Sequence, residues 1–226
     1  TTVNTYESDQ SFALGGLRMG GSMYYALDVS NFESPKIIYS VGSNYANRLK
    51  KLSTDISGVK NGVSAITSSA AASADQKAYA RMGQTWGKPA LGYVKSGGKR
   101  VMVSFLPGGY DACYENPTFK LGTNYPDDTQ CSNKDVAQGN SIYMVQVGEV
   151  ITKAKNEEKV DTSKNNGNLL WWASNSGNSV TAASNATSAT LQYSKADDLK
   201  HSVVTQVRTL DRNYDGLIDH IYFADL

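Results

Sequence analysis

Short runs of β-branched and aromatic residues recur along the whole chain, separated by clusters of glycine, asparagine and aspartate. Runs of this kind predict β-strands, and their regular spacing favours a sandwich, a barrel or a propeller. Residues 95–99, Lys-Ser-Gly-Gly-Lys, predict a hairpin loop between two of these strands. The charged segment 148–160 fits either a strand with a linker or a short helix. The sequence therefore predicts an all-β fold, with strands at 12–17, 22–29, 36–41, 89–95, 100–106, 141–147, 168–173, 202–210 and 218–223.

Three segments interrupt this pattern and are predicted to be loop insertions. Residues 53–80 are rich in serine and alanine, and residues 174–190 are almost entirely serine, asparagine, threonine, glycine and alanine. Neither contains enough large apolar side chains to offset the entropy lost on ordering, so both are expected to be mobile surface loops. The alanine-rich part of the first could also form a turn or two of helix. The third insertion, 113–131, lies between the two cysteines.

The number of predicted strands limits the possible architecture. About nine strands make two to three blades of four strands, whereas a closed propeller needs about four to eight blades. If the fold is a propeller, the chain is an incomplete arc of the ring. Its open ends would then need further polypeptide to cover them. The first residues, 1–5, have neither a methionine nor the features of a signal peptide, so we expect the chain to start within a longer protein, as a processed product or an expression fragment.

Composition and charge exclude several classes of function. The 226 residues carry a net charge of +1 and only 19% charged side chains, so no clustered basic surface for nucleic acid is evident. No apolar run approaches the roughly 18 residues that a membrane span requires. His201 and His220 are the only histidines, and the chain has neither a Gly-x-Ser-x-Gly elbow nor a His-x-x-x-His pair. We therefore predict no catalytic residues and no enzymatic activity.

A nine-residue segment near the end of the chain carries the clearest chemical signal. In Asp211-Arg212-Asn213-Tyr214-Asp215-Gly216-Leu217-Ile218-Asp219, oxygen-bearing side chains occupy positions 1, 3, 5 and 9, and glycine occupies position 6. This spacing matches the first nine positions of a calcium-binding loop, in which a hard cation takes six to eight oxygen ligands. The predicted calcium ligands are the side chains of Asp211, Asn213, Asp215 and Asp219 and the backbone carbonyl of Leu217.

The match departs from the helix–loop–helix form in two ways. Position 12 is Tyr222 rather than a bidentate glutamate, and the flanking residues predict strands rather than helices. We therefore expect a loop between two strands with fewer protein ligands, in which water completes the coordination. The alternative is an aspartate- and asparagine-rich hairpin turn that binds no metal.

Cys113 and Cys131 are the only cysteines, and they bracket a segment full of turn residues. A loop without a core of its own gains stability from a cross-link, and a disulfide is the simplest state of two cysteines in an exported chain. The alternative is a pair of free thiols. Trp86, Trp171 and Trp172 could line a sugar or peptide site, although such aromatic residues more often pack in the core.

Several motifs together resemble the PilY/PilC family, the tip-located adhesins and biogenesis factors of bacterial type IV pili. Residues 20–30 resemble its Gly-Gly-x-x-Tyr-Tyr-Ala-Leu-Asp-Val-Thr blade motif, and 83–90 are similar to Gly-x-Thr-Trp-Ser-x-Pro, with Gly87 in place of serine. Residues 166–171 resemble the blade turn Thr-Gly-x-x-Leu-Trp. The calcium loop follows, and 221–226 resemble Ile-Tyr-Val-Gly-Asp-Leu. The motifs appear in the family's order.

This resemblance implies part of a C-terminal β-propeller domain with quinoprotein-like blades and a regulatory calcium loop between two strands. It implies a role in pilus assembly, extension and retraction, twitching motility, DNA uptake and surface attachment. The implied location is the cell surface, at the pilus tip or outer membrane. The implied partners are major or minor pilins, host or surface receptors, and the remainder of the parent chain. Two alternatives remain: a secreted lectin-like adhesion module stabilised by calcium, and a quinone-dependent dehydrogenase on the same architecture.

Overall fold

The described residues form three β-sheets, none of which closes on itself, with almost no helix. The structure is a computed structural model that describes residues 10–43, 59–61, 78–128, 131–134, 137–153, 157–175 and 192–226. The strands are β1 (Phe12–Gly16), β2 (Met23–Asp28), β3 (Lys36–Gly42), β4 (Val59–Asn61), β5 (Ala90–Ser96), β6 (Lys99–Pro107), β7 (Ser141–Thr152), β8 (Glu158–Asp161), β9 (Leu169–Ser174), β10 (Gln192–Lys195), β11 (Arg208–Leu210) and β12 (His220–Tyr222). The predicted all-β class is confirmed.

The sheets follow the chain from its beginning to its end. The first has the order β1-β2-β3-β4, antiparallel except that β4 runs parallel to β3. The second has the order β10-β9-β7-β6-β5, and β8 also pairs with β7. In the third, β11 and β12 form an antiparallel pair. The second sheet thus lies between the other two in sequence.

The long strand β7 explains the segment whose structure the sequence left open. Its first five residues pair with β9, whereas residues 149–152 pair with β8. The chain continues as a strand through Thr152 and returns at Glu158–Asp161. The strand interpretation of 148–160 is therefore confirmed for its described residues.

The six-stranded sheet has a hydrophobic cluster on each face. In β6, Met102 and Leu106 belong to one cluster, while Val101, Val103 and Phe105 belong to the other. This alternation follows from the two-residue period of a strand. The first cluster joins the sheet to the four-stranded sheet, and the second joins it to the segment that leads to β11 and β12.

The first cluster is rich in large aromatic side chains, and they include part of a segment expected to be a surface loop. Tyr24, Tyr39, Tyr143 and Trp172 are fully buried in it. Tyr79 is also fully buried, with its ring centroid 5.4 Å from that of Tyr143. The expectation of a surface loop across 53–80 is thus wrong for 78–80, because this tyrosine and the alanines on either side of it are buried in the first cluster. It is also wrong for 59–61, which form β4; the remainder of 53–80 lies outside the described residues.

Two further expectations about loops and strands need correction. Of the predicted strand 202–210, only Arg208–Leu210 is a strand. Val203 and Val207 alternate as in a strand, but they are buried in the second cluster from an irregular segment. In the insertion predicted at 174–190, Ser174 is the buried last residue of β9, and residues 176–190 lie outside the described residues. The strand β10 was not predicted.

The predicted hairpin at residues 95–99 is confirmed. Ser96 of β5 pairs with Lys99 of β6, and the two residues between them, Gly97 and Gly98, have φ values of 56° and 79°. Two consecutive positive φ angles define the turn that matches the twist of a hairpin, and glycine adopts them without steric cost.

The predicted disulfide between Cys113 and Cys131 is present. Both cysteines are buried in a small satellite cluster with Phe119. Beside it, the buried carboxylate of Asp111 accepts a bond from the Cys113 amide at 3.1 Å and from Lys134 Nζ at 2.7 Å. The 113–131 insertion is therefore an ordered loop, apart from residues 129–130, which lie outside the described residues.

Candidate calcium-binding loop

Residues 211–219, here called the aspartate loop, connect β11 to β12. Leu210 pairs with His220 across the two strands, and the Asp219 amide donates to the Leu210 carbonyl at 3.0 Å. The antiparallel pair therefore brings the first and last aspartates of the loop next to each other. This agrees with the expectation of a loop between two strands rather than two helices.

Asp211 and Gly216 define the tight turn at the start of the loop. The Gly216 amide donates to Asp211 Oδ2 at 2.8 Å, so the first residue of the loop accepts from the sixth. Gly216 has a φ of 81°, in the left-handed region that favours glycine. Tyr214 also has a positive φ, 59°, and its side chain is 91% exposed at the tip. The spacing of aspartate and glycine thus produces the wound backbone that the sequence predicted.

The other predicted side-chain ligands also turn towards the loop backbone. Asp215 Oδ1 accepts from the Leu217 amide at 2.8 Å, and Asp215 Oδ2 accepts from Asn213 Nδ2 at 3.1 Å. Asp219 Oδ2 accepts from the Arg212 amide at 2.8 Å. These bonds fix the carboxylates in place. In the part of the chain that the structure describes, however, no three acidic, histidine or cysteine side chains converge closely enough to hold a metal ion.

One oxygen of the aspartate loop has no partner. Asp211 Oδ1 is buried and accepts no hydrogen bond. Burying a carboxylate oxygen without a partner is unfavourable, and a cation bound at this oxygen would remove that cost. A carboxylate has about four acceptor positions on its two oxygens, so the amide bonds within the loop leave capacity for a metal. The donor set of Asp211, Asn213, Asp215, Asp219 and the Leu217 carbonyl is made entirely of the oxygens that calcium prefers.

The aspartate loop is attached to the six-stranded sheet. The Ile218 amide donates to the Tyr93 carbonyl in β5 at 2.8 Å. Gly92, the preceding residue, leaves the space that the Ile218 side chain fills: a Cβ at position 92 would lie 2.4 Å from Ile218 Cγ1. Glycine inside a strand often marks such a close approach. This glycine is the sequence signal that could have revealed the docking of the loop.

A positively charged side chain, that of Arg100, lies beside the aspartate loop, and sequence reasoning missed it. Arg100 in β6 stacks on the Tyr93 ring, 4.3 Å from its centroid, and donates to Glu158 Oε2 at 2.8 Å. A Cβ built on Gly216 would lie 3.2 Å from Arg100 Nη2. Arg100 and Gly216 are more than a hundred residues apart, so no local pattern connects them. The guanidinium adds positive charge next to the oxygens predicted to bind a cation.

The tryptophans and histidines do not form a second site with the aspartate loop. Trp172 is fully buried and Trp171 packs against the second cluster, as the core interpretation predicts. Trp86 is 40% exposed and donates to Gln84 Oε1 at 3.2 Å. His201 and His220 are both exposed.

Comparison with known proteins identifies no relative: no family model, no curated protein and no solved structure matches this chain. The resemblance to the PilY/PilC family therefore depends on the motifs alone. Among the described residues, no helix has the length and hydropathy needed to cross a membrane. The disulfide is typical of proteins that reside in an oxidising compartment.

Proposed function

We propose that this chain is a calcium-binding propeller segment of a type IV pilus-associated tip adhesin or assembly factor similar to the PilY/PilC family. In this proposal it acts without catalysis, at the cell surface, in pilus biogenesis, the control of extension and retraction, twitching motility, DNA uptake and attachment. The observation that carries the calcium part is the buried, unpartnered Asp211 Oδ1 within a loop of oxygen donors.

The arrangement of the sheets supports the propeller part of the proposal. The strands β5, β6, β7 and β9 form an antiparallel meander whose spatial order follows the chain, as in a propeller blade. This sheet is covered on one face by the preceding sheet and on the other by the segment that follows it. Successive blades of a propeller cover one another in this way. The parallel strands β4 and β10 at the sheet edges would be additions to the blades.

Calcium in the aspartate loop would hold β11 and β12 together at their connected end. Asp211, Asn213, Asp215, Asp219 and the Leu217 carbonyl would provide the protein ligands, with water completing the coordination. The ion would reduce the repulsion among three nearby carboxylates and so favour one conformation of the loop. A switch between pilus-binding states requires that calcium bind those states with different affinity. The proposed partners are pilins, surface receptors and the remainder of the parent chain.

Calorimetric titration of this chain with calcium tests the metal site. We expect saturable binding of one ion, abolished by Asp211→Ala and retained by Asp127→Ala, which removes an exposed carboxylate outside the aspartate loop. Absence of binding by the folded chain would leave a metal-free turn in this position. Equal loss in both variants would show that the binding is not specific to the loop.

Pilus retraction in cells tests the role separately from the metal. In the bacterium that carries the parent protein, Asp215→Ala should alter the frequency of retraction under conditions in which the protein is still exported. Unchanged retraction despite lost calcium binding would refute the regulatory role and leave the ion structural. Binding to a glycan array that is lost on chelation would instead favour the lectin-like alternative.

A further inference from the structure

A cleft of about 520 Å³ lies between the four-stranded and six-stranded sheets, apart from the aspartate loop. Its walls include residues 36–38 in β3, Ile151 in β7, Lys153 just after β7, and residues 159–163 in and after β8. Ligand sites in proteins commonly have volumes of about 300–1,000 Å³, so the cleft can accommodate a ligand of one or two rings.

Two amide side chains hold the walls of the cleft at a fixed separation. Gln10, next to β1, donates to the Val160 carbonyl at 2.9 Å and accepts from the Val160 amide at 2.7 Å. On the other side, Asn166 Nδ2 donates to the Ile38 carbonyl. Both bridges join one sheet to the other. The cleft is therefore largely preformed, which lowers the entropic cost of binding a ligand.

The charge of the cleft favours an anion. Lys36, Lys153 and Lys159 line it, together with the two carboxylates of Asp28 and Asp161. Each carboxylate accepts hydrogen bonds within its own turn, which holds it in position while its negative charge remains. Asp161 Oδ1 accepts from the amide and hydroxyl of Ser163 at 2.9 and 2.6 Å, and Asp28 Oδ1 accepts from the Ser30 amide at 3.0 Å. With three lysines and two aspartates, the lining has an excess of one positive charge.

The remainder of the lining is amphipathic. Ile37 and Ile151, on opposite sheets, are 46% and 39% exposed, so both present apolar surface to a ligand in the cleft. Thr162 and Ser163 add hydroxyl groups close to the lysines. A ligand that matches this lining has an acidic group, several hydroxyls and a small apolar face.

We propose that the cleft binds an acidic saccharide unit bearing a carboxylate or a sulfate. Lys36 and Lys159 recognise the acidic group, the hydroxyls of Thr162 and Ser163 bond to the sugar, and the isoleucines contact its C–H face. An acidic peptide fits less well, because peptides commonly add to a free strand edge. At this cleft, the Gln10 side chain already occupies the Val160 amide and carbonyl on that edge of β8. The site requires no calcium and goes beyond the role proposed above.

Isothermal titration with a sulfated disaccharide and its unsulfated counterpart, both in the presence of a calcium chelator, tests the proposal. We expect the sulfated sugar to bind at least tenfold more tightly than the neutral one. The exposed pair Lys36→Gln/Lys159→Gln should weaken binding at least tenfold. The matched control Lys120→Gln/Lys200→Gln removes two exposed lysines that do not line the cleft and should leave binding unchanged.

Three results would overturn the proposal. Equal affinity for both sugars would exclude recognition of the anion, and equal loss in the two lysine pairs would indicate diffuse charge attraction. Binding of a short polyaspartate peptide in preference to the sulfated sugar would assign the cleft to acidic peptides instead. Melting curves of each variant verify the fold, and Lys159→Gln alone provides a milder second variant. Because calcium is chelated throughout, these outcomes are independent of the aspartate loop.

Discussion

Ile218 of the aspartate loop lies against the backbone of Gly92 in β5, so closely that a Cβ at position 92 would stand 2.4 Å from Ile218 Cγ1. Gly92→Ala should therefore displace Ile218 and lower the free energy of unfolding by about 1–3 kcal/mol, as other overpacking substitutions do. It should also weaken calcium binding, because Ile218 adjoins the predicted ligands Leu217 and Asp219. Urea unfolding and calcium titration measure both effects.

The double variant Gly92→Ala/Ile218→Ala is the control for this prediction. Removing the larger side chain of Ile218 makes room for the new methyl group. The cost of Gly92→Ala should therefore be smaller in the Ile218→Ala background than in the wild type. An equal cost in both backgrounds would mean that the two residues do not interact as the structure indicates.

Calcium should stabilise the folded chain through the aspartate loop. At a free calcium concentration one hundred times the dissociation constant, binding to the folded state alone raises the free energy of unfolding by about 2.7 kcal/mol. The melting temperature should rise accordingly and return to its starting value on chelation. The Asp211→Ala variant should show no such rise. An identical rise in that variant would place the stabilising ion elsewhere.

Arg100 should oppose calcium binding, since its guanidinium lies beside Gly216 in the aspartate loop. Arg100→Gln removes a positive charge that would repel calcium. It also breaks the ion pair with Glu158, whose carboxylate lies 2.8 Å from the guanidinium. We expect calcium affinity to rise by about twofold to fivefold, because partly exposed charges of this kind contribute roughly 0.3–1 kcal/mol. Lys99→Gln, at the next position but pairing with Glu149, is the matched control. A fall in affinity would instead mean that Arg100 positions the loop.

The disulfide should contribute measurable stability. Cys113→Ser/Cys131→Ser should lower the free energy of unfolding by about 3 kcal/mol, the chain-entropy value for a loop of this size. Adding a reductant to the wild type should produce a similar loss in urea unfolding and have no effect on the double variant. A variant as stable as the oxidised wild type would show that the buried Asp111 and Phe119 hold the loop without the cross-link.

Buried tyrosines should make the protein unstable in alkali. Burial raises the pKa of Tyr39 above the ordinary 10.0, as it does for Tyr24 and Tyr143. Above pH 10 the unfolded chain therefore loses phenol protons that the folded chain retains. The contribution of these tyrosines to the free energy of unfolding is fully present below pH 10. It falls as pH rises towards the folded-state pKa, by up to about 1.4 kcal/mol per pH unit for each tyrosine.

Urea unfolding between pH 9 and 11 checks this dependence. The free energy of unfolding of the Tyr39→Phe variant should fall less steeply with pH than that of the wild type. The substitution should also cost about 1 kcal/mol at neutral pH by removing the hydrogen bond with Ser104. The matched control Tyr214→Phe changes a phenol that is 91% exposed and should leave the slope unchanged. If Tyr39→Phe does not change the dependence of the free energy of unfolding on pH, other groups cause the loss of stability in alkali.

Local patterns along the chain were sufficient for part of this structure. Alternating apolar residues predicted most strands, two glycines predicted the hairpin at 97–98, and the spacing of Asp211, Asn213 and Asp215 predicted a tight loop between two strands. These features depend on residues close in sequence, whose conformations follow from sterics and short-range hydrogen bonds. The cysteines were predictable for a simpler reason, since they had only each other as partners.

Contacts between distant segments were decided only by the tertiary structure. Nothing local indicates that Tyr79 enters the core, that Arg100 lies beside Gly216, or that Gln10 bridges to Val160, 150 residues away. The alternation at Val203 and Val207 even predicted a strand that does not form, because burial against a sheet requires an apolar side chain but not a strand backbone. The sequence alone thus determined most of the turns and extended segments, but not all of them. The contacts between sheet faces, between charged groups, and between a glycine such as Gly92 and the side chain that packs on it depended on how the sheets pack together.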